Sequence, residues 1–455
     1  MRTVPHKIFF VGIGGIGMSG LARYFARKGA LVAGYDRSIS SMTKALTEEG
    51  IDVTFDADPE KLAQAFSMDP DVLVVRTPAV PCDLPLLKYW KELGARIVKR
   101  AELLGAITRD LPTTAVAGTH GKTTVSSMLA HMMSEGGVSV NAFLGGVAAN
   151  YGTNVLLHDD AVSNIVEADE FDRSFLHLDP VDAIITSMDP DHLDIYGSVE
   201  DMRAAYRDFA DRCSGQLLVN DRVAFHFVDR PVRAYGFEKD STIRVTNVIV
   251  KDGAYQFDLF TEDTTLTGIR AGMPGRHNVE NACAAAAMGL HLGLDDDQVR
   301  RGIASFKGVQ RRFQVHVNTP ELVFVDDYAH HPAEIDAAIR SVRELWPGRR
   351  ITGVFQPHLY SRTRDLAVEF ARSLGALDEL ILLDIYPARE RPIPGVTSRK
   401  LLDLIPLARK RCMTLEEVRS ELSGLSLDVL LTLGAGSIDS IVPALAAELT
   451  ERSAS

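Results

Sequence analysis

The chain has 455 residues, enough for two to four domains, and its 46% hydrophobic and 24% charged residues are typical of a globular protein. Its 61 acidic and 49 basic residues give a formal net charge of −12, which argues against a nucleic acid or an anionic membrane surface as partner. Four cysteines without paired spacing argue against a disulfide framework or a zinc site, and no apolar stretch is long enough to span a membrane, so we expect a cytoplasmic protein without membrane insertion.

The first block of the chain, residues 7 to about 112, alternates short apolar segments with helical patterns, which predicts a parallel sheet covered by helices. The predicted strands are residues 8–11, 31–35, 72–75 and 95–98. A glycine-rich turn, residues 12–17, follows the first strand, and Asp36 ends the second. This pattern resembles the dinucleotide-binding fingerprint, in which a helix N-terminus faces a diphosphate. Both a nicotinamide dinucleotide and a nucleotide-sugar diphosphate fit it.

A phosphate-binding loop begins the second block. The apolar segment 114–117 leads into Gly-Thr-His-Gly-Lys-Thr-Thr-Val at residues 118–125, and a helical pattern follows. Glycines let backbone N–H groups close around phosphate oxygens, Lys122 supplies a cation, and Thr123 offers a hydroxyl to Mg²⁺. Val116 stands where the strict pattern has glycine, so the match is to the variant Gly-Thr-x-Gly-Lys-Thr. The segment predicts a nucleoside triphosphate site.

Two acidic clusters follow predicted strands of the same block. Residues 167–172 follow the strand at 163–166, and residues 189–194 follow the strand at 183–186. The carboxyl ends of parallel strands lie at one edge of a sheet, so both clusters can face the same phosphates. Mg²⁺ prefers hard oxygen ligands, which makes Thr123 and Glu167 candidate ligands, with His192 available for a second ion. A solvated loop is the alternative for each acid alone, and a structural role is the alternative for His192.

Amides and arginines near the end of the second block could also contact a nucleotide. Further strands are predicted at 216–219 and, as antiparallel strands, within 243–266. Asn278 and Asn281 project from one face of an alanine-rich helix and can together read an adenine edge, although Asn278 alone could cap the helix. Arg311 and Arg312 form a basic pair in which a bidentate guanidinium could clamp a phosphate. A solvated basic pair is the alternative.

The third block, from about residue 319, again alternates strands, predicted at 322–325, 351–354, 380–383 and 429–432, with helices. Two histidine-bearing loops follow its first two strands, at 326–332 and 355–362. Open α/β sheets bind ligands at the carboxyl ends of their strands. Together these loops favour an anion-binding site.

The segments at 12–17, 118–124, 167–172, 191–194, 277–281, 311–313, 326–332 and 355–363 resemble, in their order, the Mur ligase family over nearly the whole chain. The resemblance implies an α/β fold with three domains. These are a Rossmann-like N-terminal domain of residues 1–111 for a UDP-sugar, a central P-loop ATPase domain of residues 112–317, and a Rossmann-like C-terminal domain of residues 318–455 for an amino acid.

The resemblance also implies an activity. The implied activity is ATP-dependent amide ligation in peptidoglycan precursor synthesis, with ATP and Mg²⁺ as cofactors. UDP-N-acetylmuramate and L-alanine are the implied substrates, and an acyl phosphate is the implied intermediate. The loop at 355–358 favours this branch over one that attaches a whole tripeptide to the same sugar, which stays open. A nicotinamide dehydrogenase and a nucleotide-switch protein are the alternative classes of function. The oligomeric state, monomer or dimer, is left open by the sequence.

The family motifs carry site residues onto this sequence. The UDP-sugar residues implied are Gly12, Gly14, Gly15, Gly17, Met18, Ser19, Asp36 and Arg37. Those for ATP are Gly118, Thr119, His120, Gly121, Lys122, Thr123, Thr124, Asn278, Asn281, Arg312 and Asp327. Those for metal are Thr123, Glu167 and His192, and those for the amino acid are Tyr328, His330, His358 and Arg362. The catalytic roles fall on Lys122, Glu167, His192, Arg312 and His330.

Overall fold

The computed structural model describes residues 4–388 and 390–454, and this part of the chain contains three β-sheets with helices between their strands. The α/β prediction is therefore confirmed. The first sheet and most of the middle sheet belong to one compact unit, and the third sheet belongs to a second unit. Within the described residues, no helix is both long and apolar enough to cross a lipid bilayer.

The first sheet is parallel and has the strand order β3-β2-β1-β4-β5. Its strands are β1 (Lys7–Val11), β2 (Leu31–Tyr35), β3 (Asp52–Thr54), β4 (Leu73–Arg76) and β5 (Arg96–Lys99), and its helices are α1 (Ile16–Arg27), α2 (Ser41–Glu48), α3 (Pro85–Glu92) and α4 (Arg100–Thr108). Ile8 and Phe10 join one buried cluster, and Phe9 and Val11 join another, so both faces of β1 are covered. The strand order reverses at β1, which opens a crevice beyond its carboxyl end.

The middle sheet has the order β15-β14-β13-β12-β11-β10-β6-β9-β7-β8. Its strands are β6 (Thr113–Ala117), β7 (Val140–Ala148), β8 (Thr153–Leu156), β9 (Ser163–Glu167), β10 (Asp182–Ile185), β11 (Leu217–Asn220), β12 (Arg233–Gly236), β13 (Ile243–Lys251), β14 (Ala254–Phe260) and β15 (Thr265–Arg270). Its helices are α5 (Lys122–Glu135), α6 (Leu193–Tyr196), α7 (Val199–Asp211), α8 (Arg276–His291) and α9 (Asp296–Ser305). Strand β6 lies between β9 and β10, parallel to both, so the loops after these three strands meet at one edge.

The third sheet has the order β16-β17-β21-β18-β19-β20, with β16 antiparallel to β17 and the other neighbours parallel. Its strands are β16 (Gln314–Asn318), β17 (Val323–Asp327), β18 (Ile351–Phe355), β19 (Glu379–Leu382), β20 (Lys410–Cys412) and β21 (Val429–Leu433). Its helices are α10 (Pro332–Leu345), α11 (Tyr360–Asp365), α12 (Ala367–Leu374), α13 (Ser398–Leu404), α14 (Leu415–Gly424) and α15 (Val442–Ala454). The predicted domain boundary between residues 317 and 318 falls inside β16, which pairs with β17.

One buried amide links the first sheet's helix α1 to the middle sheet. Asn154 of β8 is 1% exposed, and its Nδ2 donates to the carbonyl of Ile16 and, at 3.1 Å, to Oγ of Ser19. Its Oδ1 accepts from the Arg23 guanidinium. These bonds tie the start of α1, which carries the glycine turn, to β8.

Replacing Asn154 with leucine should lower the free energy of unfolding by roughly 2–4 kcal/mol, because leucine cannot replace the buried amide's hydrogen bonds to Ile16, Ser19 and Arg23. Chemical denaturation of the variant measures this loss. The matched control is Asn318→Leu, at an exposed position of β16. Equal stability of the two variants would contradict the structural role given to Asn154.

Candidate active site

The loop between β6 and α5 has the geometry of a phosphate-binding loop. Gly118 and Gly121 have φ of 135° and 83°, values that favour glycine, and Gly121 caps α5 without a side-chain hydrogen bond. The loop is fixed by its neighbours, since Oγ1 of Thr119 donates to the Asp189 carbonyl at 2.8 Å and the N–H of His120 donates to Oγ of Ser187 at 2.8 Å. The backbone donors at the start of α5 therefore form a preorganised anion site.

The Lys122 ammonium is held by a glutamate in this structure. Its Nζ lies 3.0 Å from Oε1 and 2.7 Å from Oε2 of Glu170, whose side chain is 4% exposed. Burial raises the pKa of Glu170 to about 7, although the Lys122 charge opposes this. Burial alone would lower the pKa of Lys122, but the carboxylates of Glu170, Glu167 and Asp169 together raise it. Nζ also donates to the carbonyls of Gly118 and Thr119, so the Lys122 cation lies between Glu170 and the phosphate loop itself.

The side chains predicted to bind metal lie around the same edge of the sheet. Oε2 of Glu167 accepts from the N–H of Gly145 at 3.1 Å, and both carboxylate oxygens occupy the space that a Cβ at position 145 would need. Thr123 lies in the first turn of α5 and is buried. His192 has φ of 54°, and its Nε2 lies 4.0 Å from Oε1 of Glu170.

No group of three or more His, Cys, Asp or Glu side chains in the described ranges is arranged to hold a metal ion by itself. The hydroxyl of Thr123 and the carboxylate of Glu167 are hard oxygen donors. Mg²⁺ usually takes only one or two protein carboxylates and completes its shell with water and substrate phosphates. The donor set therefore fits Mg²⁺ bound together with a nucleotide.

A cavity of about 200 Å³ lies beside the glycine turn of the first sheet. Its lining includes Gly15, Gly17, Arg100, Glu167 and Asp169. Arg100, the first residue of α4, packs across Gly17 and lies 3.2 Å from Oδ2 of Asp169. The cavity is thus lined by the N-terminus of α1, by the Arg100 guanidinium and, in contact with that guanidinium, by a carboxylate next to the predicted metal ligand Glu167.

Most residues predicted for the UDP-sugar surround this turn. Asp36 accepts from the N–H of Gly14 at 2.8 Å, which fixes the turn against the end of β2. Met18 and Ser19 are buried in the first turns of α1, and Oγ of Ser19 donates to the carbonyl of Ile16 at 2.9 Å. Arg37 is exposed. In this structure the Ser19 hydroxyl bonds to Ile16 and Asn154, and its contact with a UDP-sugar stays a prediction.

The two asparagines predicted to read adenine have different surroundings. Nδ2 of Asn278 donates to the carbonyl of Pro274 at 2.6 Å, so its amide fastens the start of α8. Oδ1 of Asn281 lies where a Cβ at Gly121 would contact it, at 2.7 Å, which places this amide against the phosphate loop. The adenine contact stays a prediction for both.

The compact unit that contains the third sheet brings the predicted amino-acid residues together. The ring of His330 lies 5.2 Å from that of Tyr328 and 5.9 Å from that of His358. Nδ1 of His358 lies 3.4 Å from a guanidinium nitrogen of Arg362, which is 8% exposed. No sequence pattern pointed to Tyr386, whose ring stacks on that of His358 with 5.7 Å between the ring centres. The loops after β17 and β18 therefore form one aromatic and cationic cluster.

Asp327 and Arg312 lie beside this cluster. The carboxylate of Asp327, predicted to contact a ribose, is 8% exposed and accepts from the N–H groups of Phe313 at 2.8 Å and Ala329 at 2.7 Å. Burial raises the pKa of Asp327 to about 7. In this geometry Asp327 fixes the loop after β17, and its ribose contact stays a prediction. The Arg312 guanidinium lies 4.9 Å from the Tyr328 ring centre.

Besides Tyr386, three residues in contact with the predicted ones were absent from the prediction: Glu170, Arg100 and Glu334. Glu170 lies inside the predicted acidic run, but nothing in the run distinguishes it from its neighbours. Arg100 follows β5 directly, and its position at the carboxyl end of a strand was the available signal. Glu334 contacts both Arg312 and His330. From the sequence alone, its position indicates only a helix-capping residue.

A strand that lies between two parallel neighbours and leads through a glycine loop into a helix is the arrangement of a P-loop nucleotide-binding protein of the α/β class. Models of the Mur ligase family match three consecutive regions, described as the Mur ligase family catalytic domain at 7–111, the Mur ligase middle domain at 116–289 and the Mur ligase glutamate ligase domain at 311–436. The chain belongs to the Mur ligase family.

Named relatives agree with this membership. The chain is 48% identical, over 96% of its length and 97% of the relative, to UDP-N-acetylmuramate–L-alanine ligase of Porphyromonas gingivalis. It superposes on the crystal structure of UDP-N-acetylmuramate-alanine ligase from Thermotoga maritima with a TM-score of 0.82, at 26% identity and 98% coverage of both chains. A murein peptide ligase from Psychrobacter arcticus shares the fold, with a TM-score of 0.70 at 20% identity and 98% coverage of both chains. The predicted family is confirmed.

Proposed function

We propose that the chain joins L-alanine to the lactyl carboxylate of UDP-N-acetylmuramate, with ATP converted to ADP and phosphate, in peptidoglycan precursor synthesis in the cytoplasm. The observation that carries this proposal is the full-length similarity to ligases named for L-alanine, at 43–48% identity. Attachment of a whole tripeptide is less favoured, because the murein peptide ligase neighbour is 20% identical with a TM-score of 0.70, against 26% and 0.82 for the alanine ligase.

Carboxylate activation is the first step of the proposed reaction. A free carboxylate is a poor electrophile for an amine, so a lactyl oxygen attacks the γ-phosphorus of ATP, the bond to ADP breaks, and an acyl phosphate forms. Lys122 exchanges Glu170 for the phosphates and offsets the charge of the transferring group. Mg²⁺ held by Thr123 and Glu167, with His192 nearby, would supply further positive charge when bound. Arg312 is proposed to contact the same phosphoryl group.

Amide formation is the second step. The neutral amine of L-alanine attacks the acyl carbon, the carbon–oxygen bond to phosphate breaks, and the amine loses one proton. Arg362 is proposed to bind the alanine carboxylate, with Tyr328, His330 and His358 around the side chain and amine. A pocket rejects one extra methylene by only about 1–3 kcal/mol, so slow turnover of serine or glycine is expected.

The substrate domains are part of the same proposal. The N-terminal region, residues 1–111, would hold the UDP-sugar through the glycine turn and Arg100. Residues 112–317 would bind ATP, and residues 318–455 would bring the amino acid, with β16 joined to this last region by its pairing with β17.

Phosphate release from ATP tests the proposal. UDP-N-acetylmuramate is supplied with L-alanine, with the stem tripeptide, or with no amine, and NAD(H) absorbance is followed in parallel. Release that depends on L-alanine is the expected result. Release only with the tripeptide would move the assignment to the activity that attaches a whole tripeptide to this sugar. No release with any amine would contradict ligase chemistry.

A further inference from the structure

Glu334 lies in the first turn of α10, directly after the loop that carries Tyr328 and His330. Its side chain is 14% exposed. Oε2 accepts from the backbone N–H groups of His330 at 3.0 Å and His331 at 3.3 Å, which completes a capping box at the start of α10. Helix capping alone would account for these two bonds.

The same carboxylate also contacts two side chains that the proposed reaction uses. Oε2 lies 3.4 Å from Nδ1 of His330, and Oε1 lies 3.7 Å from a guanidinium nitrogen of Arg312. A cap requires neither contact. One buried carboxylate therefore joins a residue on the phosphate side of the reaction to a residue on the amine side.

The contacts of His330 define its tautomer. Nδ1 lies 3.0 Å from the carbonyl oxygen of Tyr328 and 3.4 Å from Oε2 of Glu334. A carbonyl and a carboxylate are both acceptors, so Nδ1 carries the proton and Nε2 carries the lone pair. The carboxylate also stabilises the imidazolium that would form if Nε2 accepted a proton.

Arg312 is held by two groups of the same loop and helix. Its guanidinium lies 4.9 Å from the ring centre of Tyr328 and 3.7 Å from Glu334. The ring and the carboxylate together hold the guanidinium in one orientation.

We propose that Glu334 is a positioning residue for both steps of the ligase reaction, because it holds Arg312, which is proposed above to contact the phosphoryl group, and keeps His330 in the tautomer that accepts the amine proton. This inference rests on the proposed function. The proton lost by the amine passes to Nε2 of His330, and the Glu334 carboxylate balances the charge of the resulting imidazolium without itself taking the proton.

The variant Glu334→Gln separates positioning from capping. Glutamine can occupy this place in a capping box, so the backbone bonds at the start of α10 are kept while the charge is removed. The matched control is Glu344→Gln on the same helix, whose carboxylate contacts the hydroxyl of Tyr255 at 2.6 Å and Arg276 at 3.3 Å. Both variants remove one acidic charge from α10.

We expect Glu334→Gln to lower kcat for L-alanine-dependent phosphate release by roughly 10–100-fold, the size of effect seen when a group that orients a functional histidine is removed. The melting temperature should stay close to that of Glu344→Gln, and the KM for UDP-N-acetylmuramate should not change. The charged or titratable groups around His330 include Glu334, Arg312, Tyr328 and His358, and both Asp327 and His277 interact electrostatically with Glu334 and Arg312. Without the carboxylate, the His330 imidazolium is less stabilised. The acid limb of the plot of kcat/KM for L-alanine against pH should therefore move to lower pH.

A wild-type kcat and pH profile in Glu334→Gln would overturn the proposal. So would a loss of kcat that is matched by a fall in melting temperature and by an unmoved pH profile, because that result describes a cap alone. If the wild-type protein releases no phosphate in response to L-alanine, the proposed function fails before any variant is compared, and this inference fails with it.

Discussion

Replacing Lys122 with methionine is expected to lower the rate of L-alanine-dependent phosphate release by roughly 1,000-fold, since the transferring phosphoryl group would lose the cation proposed to offset its charge. The affinity for UDP-N-acetylmuramate should be unchanged, because the cavity beside the glycine turn lacks Lys122 among its lining residues. Phosphate release gives the rate, and calorimetric titration with the UDP-sugar gives the affinity. Loss of both would argue against the proposed division of binding between the first and middle sheets.

The same variant has a pH-dependent cost in stability. Burial already raises the pKa of Glu170 from 4.5 to about 7, and without Lys122 it should rise further. A carboxyl with a raised folded pKa contributes most to stability below the unfolded value of 4.5 and loses that contribution as pH rises through its folded pKa. Lys122→Met should therefore be more destabilised at pH 8 than at pH 6, by an amount on the order of 3–5 kcal/mol at the higher pH.

The control for this cost is the double variant Lys122→Met with Glu170→Gln, which removes both charges. Its melting temperature should recover toward the wild-type value and lose most of its pH dependence. Its phosphate release should stay as low as that of the single variant. Recovery of activity in the double variant would show that the lysine acts only through the stability of the pair.

Replacing Gly145 with alanine is expected to raise the Mg²⁺ concentration needed for half-maximal activity by roughly 10–100-fold. A Cβ at this position would occupy the space of both carboxylate oxygens of Glu167, so the proposed metal ligand must move. The measurement is a Mg²⁺ titration of phosphate release at saturating ATP and UDP-sugar.

Gly424→Ala in α14 is the matched control, because a Cβ there meets nothing within 4 Å. It should leave the Mg²⁺ dependence unchanged. If Gly145→Ala also leaves that dependence unchanged at full activity, Glu167 is not a metal ligand.

Most of the fold could be predicted from the sequence because each sheet is built largely from buried strands, whose apolar segments stand out. The strands that were missed have other features. β7 contains Gly145 and Gly146, which read as a turn, and β3 has only three residues and is partly exposed. β16 is an edge strand with an irregular register, so its residues were assigned to a boundary.

The phosphate loop could be predicted because its whole chemistry lies in one continuous segment. Glu170 could not be distinguished from the other acids of its run, since the left-handed backbone at Asp172 and Arg173 decides how this segment folds. Asp327 shows the opposite limit. Its type and place suggested a ligand contact, which stays a prediction, whereas the bonds of its carboxylate to the backbone N–H groups of Phe313 and Ala329 could not be foreseen from the sequence.

The transfer of one carboxylate oxygen to phosphate is the sharpest test of ligase chemistry by this chain. UDP-N-acetylmuramate labelled with oxygen-18 in its lactyl carboxylate is turned over with ATP and L-alanine, and the released phosphate is analysed by mass spectrometry. An acyl phosphate intermediate places one labelled oxygen in each phosphate formed. Unlabelled phosphate, with the amide product present, would contradict carboxylate activation by ATP.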